Sequence, residues 1–213
     1  MTAAPKPTPI YHMTQVSNLR SIIEATGLLS TNELHRLGIR YKDSSYQDVQ
    51  DRRATTCVPC GVGGVLHDYV PFYFNPRSPM LGAIHVGRVP SCPEGQRAMI
   101  HLMTSAQKVK AAGHEVCFTN AHAITRLANF YLDFTSLDLI DWALMKSKWW
   151  NDIPTDPDRS RRRQAEFLVH KFVPFELVLG IGVIDDDVRE QVEAELKGAP
   201  YHPPVKVKPE WYY

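Results

Sequence analysis

An α+β fold in a single domain is what this sequence predicts, and three observations carry the expectation. Strand-like and helix-like segments are mixed along the chain without the steady βαβ beat of a doubly wound sheet. A chain of 213 residues can bury one sizeable core and is small for two. Its 44% hydrophobic and 22% charged residues suit an ordinary globular domain, and no internal repeat is found.

The elements follow in order. Residues 1–8, with two prolines, are expected to form a flexible lead into a single domain spanning 1–213. Ile10, Tyr11 and His12 read as a first strand. Ser17 offers an N-cap to a helix in which Leu19, Ile22 and Ile23 recur at helical spacing, and Gly27 is placed to end it. This step sets His12 and Thr14 at the C-terminal end of a strand. Residues 30–50 predict one irregular helix and a loop. Pro59, Gly61, Gly63 and Gly64 predict that 51–66 is a loop, and so long a loop in a small domain is usually functional.

Residues 69–74 read as a strand, and Pro71 within it predicts an edge position or a late start. Strand alternation puts Phe72 and Phe74 on one face and Tyr73 on the other. Pro79 suits the first turn of a helix over 80–85. Strands are expected at 99–103 and 116–119, separated by a helix at 106–110. Residues 120–148 are expected to be mainly helical and 149–158 to form an acidic, proline-interrupted loop. Strands at 165–170 and 177–184, a helix over 185–197 and a last strand at 205–207 complete the chain.

No apolar run is long enough to span a bilayer, and the first residues lack the apolar middle of a secretory signal, so a cytoplasmic location with no membrane partner is expected. There the four cysteines, 57, 60, 92 and 117, are expected as free thiols. Cys57-Val58-Pro59-Cys60 has the spacing of half a zinc site, but no second pair completes it even if His67 contributes, so no metal is expected. Gly61-Val62-Gly63-Gly64 lacks the strand before it and the Lys-Ser/Thr after it that a phosphate loop requires. The net charge of +1 hides a concentration of Arg159, Arg161, Arg162 and Arg163, with Lys206 and Lys208 further on. These could hold a phosphate backbone or form a solvated helix end.

Three segments stand out: Tyr11-His12-Met13-Thr14, the run from His67 to Leu81 containing Tyr69-Val70-Pro71-Phe72-Tyr73-Phe74, and Arg162-Arg163-Gln164-Ala165-Glu166. Together they resemble the DarT family of DNA ADP-ribosyltransferase toxins, from Ile10 to Tyr213. The resemblance implies an ADP-ribosyltransferase-like split β-sheet with an NAD cleft, related to the poly(ADP-ribose) polymerase fold. It also implies transfer of ADP-ribose from NAD to thymine in single-stranded DNA, and a macrodomain antitoxin, an ADP-ribosyl hydrolase, as partner.

By that resemblance Glu166 is the catalytic carboxylate and Arg53 the catalytic arginine, with the adjacent Arg52 open to a one-residue slip. His12, Met13, Thr14 and Asn18 hold NAD; Tyr73, Phe74, Arg77 and Ser78 line its nicotinamide side. His122, Arg52, Arg162, Arg163 and Tyr46 face the DNA, and the segment 36–66, with Tyr41 and Tyr46, closes over NAD. Physical chemistry gives these types work to do. A carboxylate beside the departing ribose stabilises oxocarbenium-like charge, and an aromatic face holds a flat cation. Each also has a plainer reading: His12 as a satisfied strand-end group, Phe74 as core, Glu166 as the partner of Arg162 or Arg163. Two rivals remain. One is an RNA 2'-phosphotransferase-like enzyme, which would need basic residues where Glu166 stands; the other is a non-catalytic single-strand binding module.

Overall fold

The computed structural model describes residues 2–213. In chain order its strands and α-helices are β1 (Pro9–Gln15), α1 (Leu19–Glu24), β2 (Gly27–Leu29), α2 (Thr31–Leu37), α3 (Gln47–Thr55), β3 (Tyr69–Tyr73), α4 (Pro79–His85), β4 (Met99–Ser105), α5 (Ala106–Ala111), β5 (Val116–Thr119), β6 (Phe130–Tyr131), α6 (Trp142–Lys146), α7 (Arg159–Arg163), β7 (Glu166–His170), β8 (Phe172–Pro174), β9 (Gly180–Val183), α8 (Asp186–Leu196) and β10 (Val205–Val207). Eight strands form one sheet in the order β10-β9-β4-β1-β3-β7-β5-β6, and β2 pairs with β8 apart from it. The α+β expectation holds.

Pro71 sits in a central strand, not at an edge. The ladder explains how. β3 pairs with β7 along its length, from Tyr69↔His170 to Tyr73↔Glu166, but with β1 only at Tyr11↔Tyr73. Pro71 has no N–H to donate, and on the β1 side none is required because pairing has stopped. The sheet is split there.

Alternation then sorts the side chains. Val70, Phe72, Phe74, Phe167 and Val169 enter the main core, joined by Val188, Val192 and Leu196 of α8. Tyr69, Leu168 and Cys117 face the other way, into a smaller cluster with Val58 and Leu66. Tyr73 and Glu166 share this second face.

Several local expectations are corrected. Gly27 opens β2 instead of ending α1: an added Cβ there would lie 2.3 Å from the Val173 carbonyl oxygen, and Thr26 takes the left-handed φ of 59°. Residues 47–55, expected to be partly loop, form α3. Residues 120–148 hold the short strand β6, a 3-10 turn at Phe134–Leu139 and the short α6. Asp133 and Asp141 side chains accept from the N–H groups of Thr135 and Leu144, and such local caps favour turns over one long helix. Within the lead expected to be flexible, residues 4–8 are docked: the Ala4 N–H donates to Asp138 and the Thr8 N–H to Gln107, with Thr8 fully buried.

Candidate active site

The sheet split opens a cleft of about 430 Å³. β1 contributes His12, Met13 and Thr14 to its wall, α1, β2, α2, the 41–46 segment, α3, Pro71, Tyr73 and the start of α4 supply most of the remainder, and His122 and Glu166 also line it. His12 Nδ1 donates to the Pro71 carbonyl at 2.9 Å, so the imidazole spans the gap where strand pairing fails. Burial lowers its pKa and keeps the ring neutral, with Nε2 as an acceptor.

Glu166 is the first residue of β7 and is 2% exposed. Its own N–H donates to Thr119 Oγ1. Oε2 accepts from Arg53 Nη1 at 2.8 Å, Oε1 accepts from the Ala123 N–H at 2.9 Å, and His122 Nε2 lies 4.0 Å from Oε1. Burial by itself would raise the carboxyl pKa, but the charges of Arg53 and His122 and the two hydrogen bonds outweigh it and hold it below the ordinary value. The group is an ionised carboxylate sunk in the cleft wall.

Arg53 and the adjacent Arg52 both come from α3 and diverge. Arg53 meets Glu166, whereas Arg52 Nη2 donates to the Ile124 carbonyl at 3.0 Å and ties α3 to the turn carrying His122 and Ala123. One Arg53 nitrogen, Nη2, is buried without a protein partner, as is Ser44 Oγ on the same cleft. Buried polar atoms without partners are costly and suit a ligand rich in hydroxyls and phosphates.

Other expected residues divide. Tyr73 lines the cleft as alternation requires, and Tyr46 lines it too. Asn18 also lies there, with its amide already committed: Nδ2 donates to the Lys42 carbonyl and Thr14 Oγ1, and Oδ1 accepts from the Lys42 N–H. It fixes the 41–46 segment over the cleft. Phe74 is corrected to a core residue, 3% exposed against Phe118, Trp142 and Phe167. Ser78 is corrected to the N-cap of α4, accepting from the Leu81 N–H, and Arg77 lies on a neighbouring groove with its guanidinium over the Tyr213 ring.

Arg162 and Arg163 are not free for phosphate. Arg162 is paired with Asp156 and Asp141. Arg163 is 2% exposed and donates to the carbonyls of Leu144, Met145, Ser147 and Arg77 and to Asn75. Neither pairs with Glu166. Among residues the sequence did not single out, Ser44 and Gln50 line the cleft, and Gln50 accepts from His67. Their types are common in any loop, so only the fold marks them. No group of three His, Cys, Asp or Glu side chains poised for a metal occurs among the described residues.

Residues 11–213 match the family described as "ssDNA thymidine ADP-ribosyltransferase, DarT". A DNA ADP-ribosyl transferase of Thermus aquaticus is 41% identical, over 99% of this chain and 91% of its own. Among solved structures, Thermus sp. 2.9 DarT in complex with ADP-ribosylated ssDNA superposes with a TM-score of 0.93 at 39% identity, covering 100% of this chain and 99% of that one. The same protein in complex with NAD+ gives 0.86 at 38% identity, over 99% and 100%.

Proposed function

The chain belongs to the DarT family of ssDNA thymidine ADP-ribosyltransferases, and on that premise we propose that it moves ADP-ribose from NAD+ to a thymine base of single-stranded DNA within the cleft around Glu166. The observation that carries the reading is the buried, ionised Glu166 held by Arg53 and the Ala123 N–H. The cleft also fits NAD+ as substrate, because Ser44 Oγ and Arg53 Nη2 are unpartnered polar groups at its wall.

In this reading His12 Nε2 accepts from a ribose hydroxyl and Tyr73 packs on nicotinamide. Met13 and Thr14 hold the same end of the dinucleotide. The bond between ribose C1' and the nicotinamide nitrogen breaks, the electron pair leaves with neutral nicotinamide, and the ribose carries oxocarbenium-like charge opposite the Glu166 carboxylate. Thymine N3 then bonds to C1' and its proton passes to Glu166, while Arg53 steadies negative charge developing on the base. His122, 4.0 Å from the same carboxylate, stands on the acceptor side.

The rest of the proposal concerns context: a toxin acting on cytoplasmic DNA and countered by a macrodomain hydrolase. The RNA 2'-phosphotransferase alternative needs a cluster of cations where this cleft has Glu166. The test is incubation with NAD+ and a mixed-sequence oligonucleotide, read by mass spectrometry for one added ADP-ribose on thymidine. Glu166→Gln keeps an oxygen for the Ala123 N–H but loses the charge, and is expected to slow transfer by about 10²–10⁴-fold. Transfer at the wild-type rate would remove Glu166 from the chemistry.

A further inference from the structure

A second groove of about 1080 Å³ lies beside the cleft, and the two share Pro79 and Ala83 of α4 as their common crest. They also meet along β3: Tyr73, opposite Glu166, lines the cleft, and Asn75 lines the groove. The strand ends at Tyr73 and Asn75 lies in the bend that follows, two residues on and so at most about 7 Å away. The groove therefore begins within a nucleotide's reach of the reacting carboxylate.

Its chemistry differs from that of the cleft. Arg77, Arg88, Lys146 and Lys148 line it, against one carboxylate, Glu210, which is paired with Lys208 at 3.3 Å. Arg77 Nε is buried without a partner. Trp149 stands at its edge 64% exposed, with Lys148 Nζ 5.4 Å from its ring centroid. The backbone under this ring is braced, since Arg159 donates to the carbonyls of Trp149 and Asn151. A braced, exposed indole among cations is poor surface design for solubility and good design for stacking a base. Arg163, spent on the carbonyls of 144–147 and 75–77, knits the two walls together, so the groove's shape is fixed in advance.

Resting on the function proposed above, we propose that this groove holds the single-stranded DNA flanking the target thymidine, with a neighbouring base stacked on Trp149 and phosphates on Arg77, Arg88 and Lys148. NAD+ and DNA then approach Glu166 from opposite sides of the α4 crest. The arginine cluster that looked basic in the sequence serves as scaffold, and cations scattered over three segments do the binding.

The test compares wild type with Trp149→Ala, Trp149→Phe and Arg88→Ala, measuring KM for an oligonucleotide and for NAD+ separately, and ssDNA affinity by fluorescence anisotropy across salt concentrations. Trp149→Ala is expected to raise the oligonucleotide KM by about 5- to 150-fold, the equivalent of ~1–3 kcal/mol for one stacked base, with the NAD+ KM changing less than about 2-fold. Trp149→Phe restores most of the loss. Arg88→Ala lowers the slope of log affinity against log salt by about 0.7, as for one phosphate contact on a single strand. Unchanged oligonucleotide KM and salt slope overturn the proposal, and so does an equal rise in both KM values. If wild type forms no adduct at all, the function is wrong and the groove is judged by anisotropy alone. Equal affinities of wild type and both alanine variants then sink it.

Discussion

Removing the guanidinium from the Arg53–Glu166 pair should produce an instability that depends on pH with a definite sign. Arg53→Met keeps most of the side chain's length and apolar stem but leaves Glu166, 2% exposed, without its partner 2.8 Å away. Breaking a buried pair on one side costs about 3–5 kcal/mol while the remaining group stays charged. At about 2–4 °C per kcal/mol for a chain of this size, Tm falls by roughly 6–20 °C.

The sign follows from the direction of each carboxyl shift. In the wild type the folded pKa of Glu166 lies below its ordinary value, so its contribution to stability is present above the unfolded carboxylate range and is lost as pH falls through the folded value. In the variant burial dominates and the folded pKa lies above the unfolded one. As pH rises past the unfolded value the buried carboxyl stays protonated and the fold loses stability progressively, until the side chain ionises in place and the loss levels off. The gap between wild type and variant is therefore small in acidic buffer and full in neutral and mildly alkaline buffer. Urea unfolding of both proteins across that range measures it, and the acid limb of the transfer rate should move toward neutral pH in parallel. A gap that does not change with pH, or no gap in alkaline buffer, refutes the account of the pair.

Ser44→Ala separates folding from binding: it removes a buried hydroxyl without a partner, so the apo protein should be as stable or up to about 1 kcal/mol more stable, while the KM for NAD+ rises about 2- to 10-fold. Denaturation and initial-rate assays on one preparation check both signs. Phe74→Ala and Tyr73→Ala test strand alternation. The first should cost about 3–5 kcal/mol of stability with little change in the KM for NAD+, and the second should raise that KM with a smaller loss of stability.

What could be read from the sequence was chiefly what short-range periodicity encodes. The alternation through Phe72, Tyr73 and Phe74 put Tyr73 on its own face but left Phe74 assigned to the nicotinamide side, and only the fold returns it to the core; Pro79 and Asp185 marked helix starts that stand where expected. The pairing of Glu166 was not legible that way. Arg162 and Arg163 are its sequence neighbours, but Arg53, 113 positions upstream, reaches it, because β7 and α3 meet only through the tertiary fold. The arginine cluster misled for a related reason: a run of like charges says nothing of the carboxylates and carbonyls that fold onto it. Asp141 and Asp156 take up Arg162, and main-chain oxygens take up Arg163.

The same reasoning explains why the site sits where it does. A proline in a central strand is a defect only if a neighbour needs its N–H, and here the defect is placed where β1 and β3 part. The Pro71 carbonyl on that side still requires a donor, and His12 supplies it across the opening. One residue thus withholds the ladder hydrogen bond that would close the sheet, and its free oxygen sets the tautomer of the imidazole facing the cleft. Replacing Pro71 by an ordinary residue would add a donor aimed into the gap. The split and the setting of His12 are consequences of one interrupted ladder, and for that reason the Pro71 strand and the Tyr11-His12-Met13-Thr14 strand have to be read as a pair.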